Sequence, residues 1–391
     1  MKYNFDKVID RSGTSAEKVE GLKHIWGRTD LIPLWVADMD FATAPFVTDA
    51  IRKRCENEVL GYTGKPDSYY NAIINWVKQR YDLIVTKEVI NFVPGIVPGI
   101  GMAMNCFTQK GDKVMIQPPV YHPFAWVTTR NERTLVINPL RWENGMYRMD
   151  LDAFREQIKG CKLFILCNPH NPGGVVWTEA ELRAIADICY DEKVLVFSDE
   201  IHADLTLPPH THRPFATVSE KARMNSVTFM SPSKAFNMPG LSASHALIFN
   251  EDLRKRFRIY MDAGELDMGH VFAFLSVEAA YSHGTEWLDQ CLAYIQGNID
   301  FVDEFLKKHA PKIKDIRPEA SYLVWLDCRE LELSQKDLNE FFVDKAHLAL
   351  NDGEMFGKEG IGFMRLNVAS PRCIIEKAMK QLADAYQLYI K

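Results

Sequence analysis

Several features of familiar protein classes are missing from this sequence of 391 residues. It has no stretch of about twenty apolar residues, so it predicts no membrane-spanning helix. Residues 1–13 alternate charged and apolar side chains and lack the continuous apolar core of a secretion signal. Lysine and arginine number 46 against 52 acids, and the net charge of −6 argues against nucleic-acid or anionic-membrane partners. We therefore expect a cytoplasmic protein that binds neither nucleic acid nor a membrane.

The cysteines and histidines also lack the spacing of disulfide or metal sites. The eight cysteines include no CxxC pair, and the eleven histidines include no HExxH pattern. Several cysteines lie within apolar runs, which favours free buried thiols over disulfides or a zinc site. We therefore expect no bound metal.

The remaining composition is that of a large globular α/β protein. With 47% hydrophobic and 25% charged residues, the chain can bury a large core and form two domains. Apolar runs alternate with stretches of helical periodicity, which predicts a parallel sheet covered on both sides by helices. The predicted strands are 113–117, 163–167, 194–197, 322–327 and 362–367. The predicted helices are 68–81, 151–158, 179–190, an amphipathic helix from about 286 through 308, 338–347 and 373–389. Residues 351–353 are predicted to be a turn.

Three polar residues follow successive predicted strands. Asn171 follows the run 163–167, Asp199 follows 194–197, and Lys234 lies in the loop after a third strand. Ligands of open α/β sheets bind beyond the carboxyl ends of such strands. A lysine shielded from water has a lowered pKa and becomes an amine nucleophile for a carbonyl. Lys234 on a solvated surface loop is the alternative that its own stretch leaves open.

A phosphate site is predicted next to this lysine. The turn at 93–100 leads into a helix, whose first backbone N–H groups and dipole favour an anion. The backbone donors are at Gly95, Ile96 and Val97, and the hydroxyls of Ser231 and Ser233 add two more.

Asn171, Asp199 and Lys234, in this order and spacing, resemble the fold-type-I pyridoxal-phosphate enzymes of the aspartate aminotransferase superfamily. The resemblance covers nearly the whole chain. It implies an α/β fold with a large domain, whose mostly parallel sheet is flanked by helices, and a smaller α+β domain. The implied large domain is 46–288, and the small domain comprises 289–391 together with the N-terminal segment 1–45.

The resemblance also implies roles for single residues around pyridoxal 5'-phosphate. Lys234 would bind the cofactor as a Schiff base and move the substrate's α-proton, and Asp199 would keep the pyridine nitrogen protonated. Asn171 would donate to the phenolic oxygen, and His202, three residues after the aspartate, either contacts that oxygen or lies behind it. Tyr121 would cover one face of the ring.

Further implied contacts involve the substrate and a second subunit. The backbone at Ala37 would seat the substrate carboxylate, in a segment that could otherwise be an edge strand with solvated acids. Arg365, inside an apolar strand, would clamp the same carboxylate, unless it pairs with an acid such as Asp38. Tyr62, on a glycine-flanked loop, would reach the cofactor phosphate of the neighbouring subunit, which implies a homodimer with a shared active site.

Narrower strings resemble the cystathionine β-lyase branch of the superfamily, the MalY/PatB group. They are the residues 35–41, WVADMDF, and 119–124, PVYHPF. Aminotransferases of the superfamily commonly carry a phosphate-binding arginine eight positions after the lysine, where this sequence has Ser242. The branch also lacks that arginine, and serine cannot replace its charged fork.

The expected function is therefore that of a pyridoxal-phosphate carbon–sulfur β-lyase. It would act on cystathionine or a cysteine S-conjugate and release pyruvate, ammonia and a thiol. The same residues would also serve an aminotransferase, and a regulatory or binding protein with residual chemistry is a third alternative.

Overall fold

The computed structural model describes residues 3–389. Residues 1, 2, 390 and 391, at the ends of the predicted domain ranges, lie outside the described part. The helices of the described part are α1 Glu17–Trp26, α2 Pro45–Cys55, α3 Asp67–Tyr81, α4 Ile96–Phe107, α5 Pro123–Arg130, α6 Leu151–Gln157, α7 Glu179–Asp191, α8 Glu220–Met224, α9 Glu251–Ala263, α10 Val271–His283, α11 Thr285–His309, α12 Gln335–Glu340 and α13 Arg372–Tyr389. Its strands are β1 Ile32–Pro33, β2 Ile90–Val93, β3 Lys113–Ile116, β4 Thr134–Ile137, β5 Arg141–Glu143, β6 Met146–Arg148, β7 Cys161–Cys167, β8 Leu195–Asp199, β9 Ser226–Met230, β10 Ser244–Leu247, β11 Lys314–Ile316, β12 Leu323–Asp327, β13 Leu348–Ala349, β14 Asn351–Asp352 and β15 Phe363–Asn367.

The largest sheet has seven strands in the order β2-β10-β9-β8-β7-β3-β4. Its pairs are parallel except that β10 is antiparallel to both neighbours. Side chains of β7 alternate between two apolar clusters, since Leu163 and Ile165 lie in one and Phe164 and Leu166 in the other. Both faces of the sheet are therefore buried, as the alternation of strands and helices predicted.

Strand register brings the polar strand ends together. Cys167, the last residue of β7, is paired with Asp199, the last residue of β8, and Asp199 is paired with Phe229 near the end of β9. The loops after these strands carry Asn171 and Lys234. Parallel neighbours thus place an amide, a carboxylate and an amine along one edge of the sheet.

A second, antiparallel sheet has the order β11-β12-β15-β14. Trp325, Arg365 and Asn351 lie side by side across its last three strands. The prediction of a turn at 351–353 was wrong, because Asn351 and Asp352 form β14 by pairing with β15. Local Asn-Asp-Gly preference for a turn was overridden by this long-range pairing.

Most predicted helices are confirmed. In α3 the apolar residues Tyr69, Ile73, Trp76 and Val77 are all buried, as their spacing indicated. The prediction of one helix over 338–347 was wrong at both ends. Helix α12 begins at Gln335 behind a Ser334 cap and continues as a π-helical turn that ends at Lys345.

The two sheets are joined by α11, a helix of 25 residues. The predicted domain boundary at 288/289 falls near the start of this helix, and the division into domains stays a prediction. All eight cysteines are unpaired, and five of them are buried. Within residues 3–389 no helix has the length and apolar content needed to cross a membrane, and no group of three or more metal-binding side chains is present.

Candidate active site

A cavity of about 200 Å³ lies at the carboxyl edge of the seven-stranded sheet. Many of the residues singled out from the sequence line it. These are Ala37, Gly95, Ile96, Val97, Tyr121, Asn171, Asp199, His202, Ser233 and Lys234. The polar strand ends therefore open onto one shared space.

Lys234 is held at the wall of this cavity. Its Nζ donates to the carbonyl oxygen of Ala37 at 2.5 Å, and the hydroxyl of Tyr322 donates to the same oxygen at 3.0 Å. Burial lowers the pKa of Lys234 to about 8, although Asp38 and Asp199 oppose the shift. A substantial fraction of the amine is therefore neutral near pH 8. The alternative of a solvated surface lysine was wrong.

Asp199 is the acid of the site, and only 3% of its surface is exposed. The backbone N–H of Ile201 donates to its carboxylate at 3.1 Å. Burial raises the pKa of Asp199 to about 7, with Lys234 opposing the rise. The ionised carboxylate is thus poorly compensated in the protein alone, and a cation next to it would lower its pKa.

His202 lines the cavity as a neutral ring. Burial lowers the pKa of His202 to about 3, helped by the positive charges of Lys234 and Arg365. Its Nδ1 is buried and has no hydrogen-bond partner within the described residues. His202 is therefore placed to contact a ligand, or a water molecule, as a neutral imidazole.

The other end of the cavity is built for an anion. Gly95, at φ +121°, precedes α4 in a conformation that favours glycine, and the first N–H groups of α4 have no carbonyl partner within the helix. Ser233 lines this end, whereas Ser231 lies behind it and its hydroxyl donates to the carbonyl of Ala243 at 2.8 Å. Ser242, which replaces the arginine of the aminotransferases, also lines the cavity.

The segment 34–41 crosses the cavity as an irregular strap. Asn237, three residues after Lys234, receives a hydrogen bond from the N–H of Met39 and donates to two carbonyls of the strap. Asp38 and Asp40 form ion pairs with Arg11 and with the fully buried Lys18. The alternative of an edge strand with solvated acids was therefore wrong. At Ala37 the strap presents a carbonyl oxygen to Lys234.

Arg365 is buried, and no acid among residues 3–389 forms an ion pair with it. Its guanidinium donates to Asn171 Oδ1 at 3.1 Å, to the Trp35 carbonyl at 3.0 Å and to Asn351 Oδ1 at 2.5 Å. Its Nε is buried and has no partner in the described part of the chain. The alternative of an ion pair with Asp38 was wrong, because Asp38 binds Arg11 and Lys18. A buried guanidinium held only by neutral acceptors is suited to an anionic ligand.

The two predicted tyrosines have different surroundings. Tyr121 lines the cavity, and burial raises the pKa of its phenol. Tyr62 is 97% exposed, on a loop that lines a separate surface groove. The predicted contact between Tyr62 and a neighbouring subunit stays a prediction.

Some residues of the site carried no sequence signal. Tyr322 holds the carbonyl that binds Lys234, and Asn351 binds Arg365, yet both lie far from the motif residues in the chain. Cys167 could have been found, because it ends the strand that precedes Asn171. The complete additional lining is Pro98, Cys167, Ile201, Pro239, Ser242, Ala243 and Ser244.

Comparisons with known proteins agree with this geometry. Residues 29–382 match the model of the family described as aminotransferase class I and II. The chain belongs to this family. It is 38% identical to "Cystathionine beta-lyase PatB" of Bacillus subtilis, over 98% of this chain and 99% of that protein. It is 30% identical to "Protein MalY" of Escherichia coli, over 98% of each chain.

Two solved structures of the same fold cover almost the whole chain. A pyridoxal-phosphate-bound putative aminotransferase from Clostridium difficile has a TM-score of 0.96 at 40% identity, over 98% of this chain and 100% of its own. Cystalysin from Treponema denticola, which contains pyridoxal 5'-phosphate, has a TM-score of 0.96 at 33% identity, over 100% of both chains. The α/β fold of pyridoxal-phosphate fold type I is therefore confirmed.

Proposed function

We propose that this protein is a pyridoxal-phosphate-dependent carbon–sulfur β-lyase. It acts on cystathionine or another cysteine S-conjugate in the cytoplasm and releases pyruvate, ammonia and a thiol. The observation that carries the proposal is the shared cavity of Lys234, Asp199 and Asn171, with Arg365 bonded to Asn171 at its edge. Relatives matching nearly the full chain, including one named as a cystathionine β-lyase, support the choice of reaction.

The residues of the cavity fit pyridoxal 5'-phosphate. Burial raises the pKa of the Asp199 carboxyl, and the protonated pyridine nitrogen would place a cation beside it that favours the ionised form. The left-handed Gly95, the start of α4 and Ser233 would hold the phosphate. Asn171 and His202 also line the cavity and would be available to the phenolic oxygen. When bound, the cofactor supplies an electron-accepting ring that stabilises negative charge at the substrate's α-carbon.

Lys234 has two tasks in this proposal. Its amine would hold the cofactor by the aldehyde group. The Nζ, with its pKa lowered to about 8 and donating to the Ala37 carbonyl, would take the proton from the substrate's α-carbon. Tyr322 donates to the same carbonyl oxygen, so it fixes the acceptor to which the Lys234 amine donates.

Arg365 would bind the substrate's α-carboxylate in this proposal, and the backbone at Ala37 would help to seat it. Asn171 accepts a hydrogen bond from Arg365 and lines the cavity, so it links the two parts of the site. Tyr121 would cover the cofactor ring and keep water from the reacting atoms. In β-elimination the carbon–sulfur bond breaks, its electron pair leaves on sulfur, and the thiolate takes a proton.

The proposed assembly is a homodimer in which Tyr62 enters the neighbouring subunit's site. The 97% exposure of its side chain in the single chain supports this, because an aromatic ring on a protruding loop is available for a partner. With no arginine at position 242, Tyr62 adds a donor to the phosphate, and Ser231 supports Ser233.

Aminotransfer is the second candidate, because the same residues serve it and a structural relative is titled a putative aminotransferase. The test is to load the purified protein with pyridoxal 5'-phosphate and to incubate it with L-cystathionine. Equal amounts of pyruvate and homocysteine support the lyase. Amino transfer to a keto acid without free thiol overturns it in favour of the aminotransferase. If none of a panel of cysteine S-conjugates is turned over at a measurable rate, the alternative of a regulatory or binding protein is favoured.

A further inference from the structure

Among the described residues, three of the five N–H donors of Arg365 have acceptors, and all three acceptors are neutral. Asn171 binds one terminal nitrogen, and Trp35 and Asn351 bind the other. Two donors, including the buried Nε, are left for a ligand. The guanidinium plane is thus fixed on several sides while its positive charge is not neutralised.

Asn351 is placed for this contact by the sheet. It is directly opposite Arg365 in the antiparallel pair of β14 and β15, so the two side chains leave the same face as close neighbours. Asn351 is 8% exposed, and its Oδ1 lies 2.5 Å from the guanidinium. Its Nδ2 donates to Met355 Sδ at 3.4 Å, which keeps the amide oxygen turned towards Arg365.

The segment after Asn351 closes the other side of the guanidinium. The ring of Phe356 lies 4.9 Å from the Arg365 guanidinium carbon, and the Phe356 carbonyl accepts a hydrogen bond from the N–H of Val120 at 2.8 Å. Tyr121, on the cavity wall, is the next residue in the chain. The residues that surround the guanidinium are therefore connected to the wall of the cofactor cavity.

We propose that Asn351 is a positioning residue that sets the affinity for the substrate's α-carboxylate by orienting Arg365 without neutralising it. This inference rests on the proposed function for the identity of the ligand, an α-amino acid. An amide oxygen at position 351 orients the guanidinium group of Arg365. A carboxylate at the same point would pair with Arg365 and compete with the substrate.

The variants are Asn351→Ala and Asn351→Asp, with Asn339→Ala as a matched control. Asn339 bonds to Asp352 on the same strand, β14, but has no bond to Arg365. The probe is glycine, which cannot undergo β-elimination, and its carboxylate-free counterpart is glycinamide. Dissociation constants are measured from the change in cofactor absorption of the loaded enzyme at pH 8.

Loss of one hydrogen bond to a charged group corresponds to roughly tenfold weaker glycine binding in Asn351→Ala. We expect about a hundredfold weakening in Asn351→Asp, because a competing carboxylate removes most of the charge. Lowering the pH should restore part of the affinity of Asn351→Asp, because its carboxyl becomes neutral. Glycinamide binding in both variants, and glycine binding in Asn339→Ala, should stay within about twofold of the unsubstituted protein.

A double variant decides whether Asn351 acts through Arg365. In an Arg365→Leu background, Asn351→Ala should weaken glycine binding no further. Equal losses for glycine and glycinamide, additive losses in the double variant, or unchanged glycine binding in both Asn351 variants would each overturn the inference. The readout is separate from the reaction type, because a protein that makes no pyruvate can still show this pattern. In that case the lyase proposal fails and the role of Asn351 stands.

Discussion

Replacing Asp199 by asparagine should stabilise the cofactor-free protein (the empty protein) and weaken the stabilisation that pyridoxal 5'-phosphate gives to the cofactor-bound protein (the loaded protein). Burial raises the pKa of Asp199 from 3.8 to about 7. At about 1.4 kcal/mol for each pH unit, the ionised carboxylate costs the empty fold about 4 kcal/mol above pH 7. The side chain is 3% exposed, so solvent screening reduces this figure little.

The pH dependence follows from the sign of this shift. Because folding raises the pKa, the folded state holds the proton more tightly than the unfolded state does. The protonated Asp199 carboxyl makes its full contribution to the stability of the folded state below about pH 4, and this contribution is lost as the pH rises through about 7. Asparagine is neutral throughout this range. The empty Asp199→Asn variant should therefore be more stable than the unsubstituted protein by up to about 4 kcal/mol at pH 8, and by less than about half of that at pH 5.

Urea unfolding of the cofactor-free proteins at both pH values measures this difference. An Asp152→Asn variant is the control, since that side chain is 97% exposed and its replacement should change the free energy of unfolding by less than about 0.5 kcal/mol. Adding pyridoxal 5'-phosphate should stabilise the Asp199→Asn variant much less than the unsubstituted protein. If the cofactor-free Asp199→Asn variant is less stable than the unsubstituted protein at pH 8, or if the difference in stability does not vary with pH, the buried carboxylate of Asp199 does not destabilise the fold.

Three further predictions concern the amine, the carboxylate clamp and the second subunit. The pKa of Lys234 is about 8 and the neutral amine is the nucleophile, so the rate of cofactor attachment should rise almost tenfold per pH unit below pH 8 and level off above it. Absorbance of the cofactor follows this rate. A rate that is independent of pH from 6 to 9 would contradict the prediction. Arg365→Lys should raise KM at least about tenfold, because an ammonium group cannot make the forked contact, whereas an unchanged KM would exclude the clamp. Mixing the inactive variants Tyr62→Ala and Lys234→Ala should restore activity. In each hybrid dimer, one site has Lys234 from one subunit and Tyr62 from the other, so it is intact. No recovery of activity after proven subunit exchange would rule out the shared site.

The sequence allowed the sheet and the cofactor end of the site to be predicted, because both depend on local signals. Apolar runs ending in Asn171, Asp199 or the Lys234 loop mark parallel strands, whose carboxyl ends must meet at one edge. The glycine at 95 before α4 is likewise a local feature. The predicted strands 113–117, 163–167 and 194–197 were confirmed to within two residues at each end, and the roles of the cavity residues towards the cofactor stay predictions.

The partners of the charged groups could not be predicted, because they depend on pairings between distant segments. Asn351 lies in a stretch with turn preference, and only its pairing with β15 makes it a neighbour of Arg365. From the sequence, Asp38 was either a solvated acid of an edge strand or an ion-pair partner of Arg365, but in the structure it pairs with Arg11 and the buried Lys18. Tyr322 reaches the Ala37 carbonyl across 285 residues of chain.

Borohydride reduction of the loaded enzyme followed by peptide mass spectrometry tests most directly whether Lys234 binds the cofactor. Reduction fixes the cofactor on the amine that carries it. We expect one phosphopyridoxyl group per chain, on Lys234, and we expect Lys234→Ala to lose both this label and pyruvate release. A label on another lysine, or pyruvate release that persists in Lys234→Ala, would contradict the assignment of Lys234.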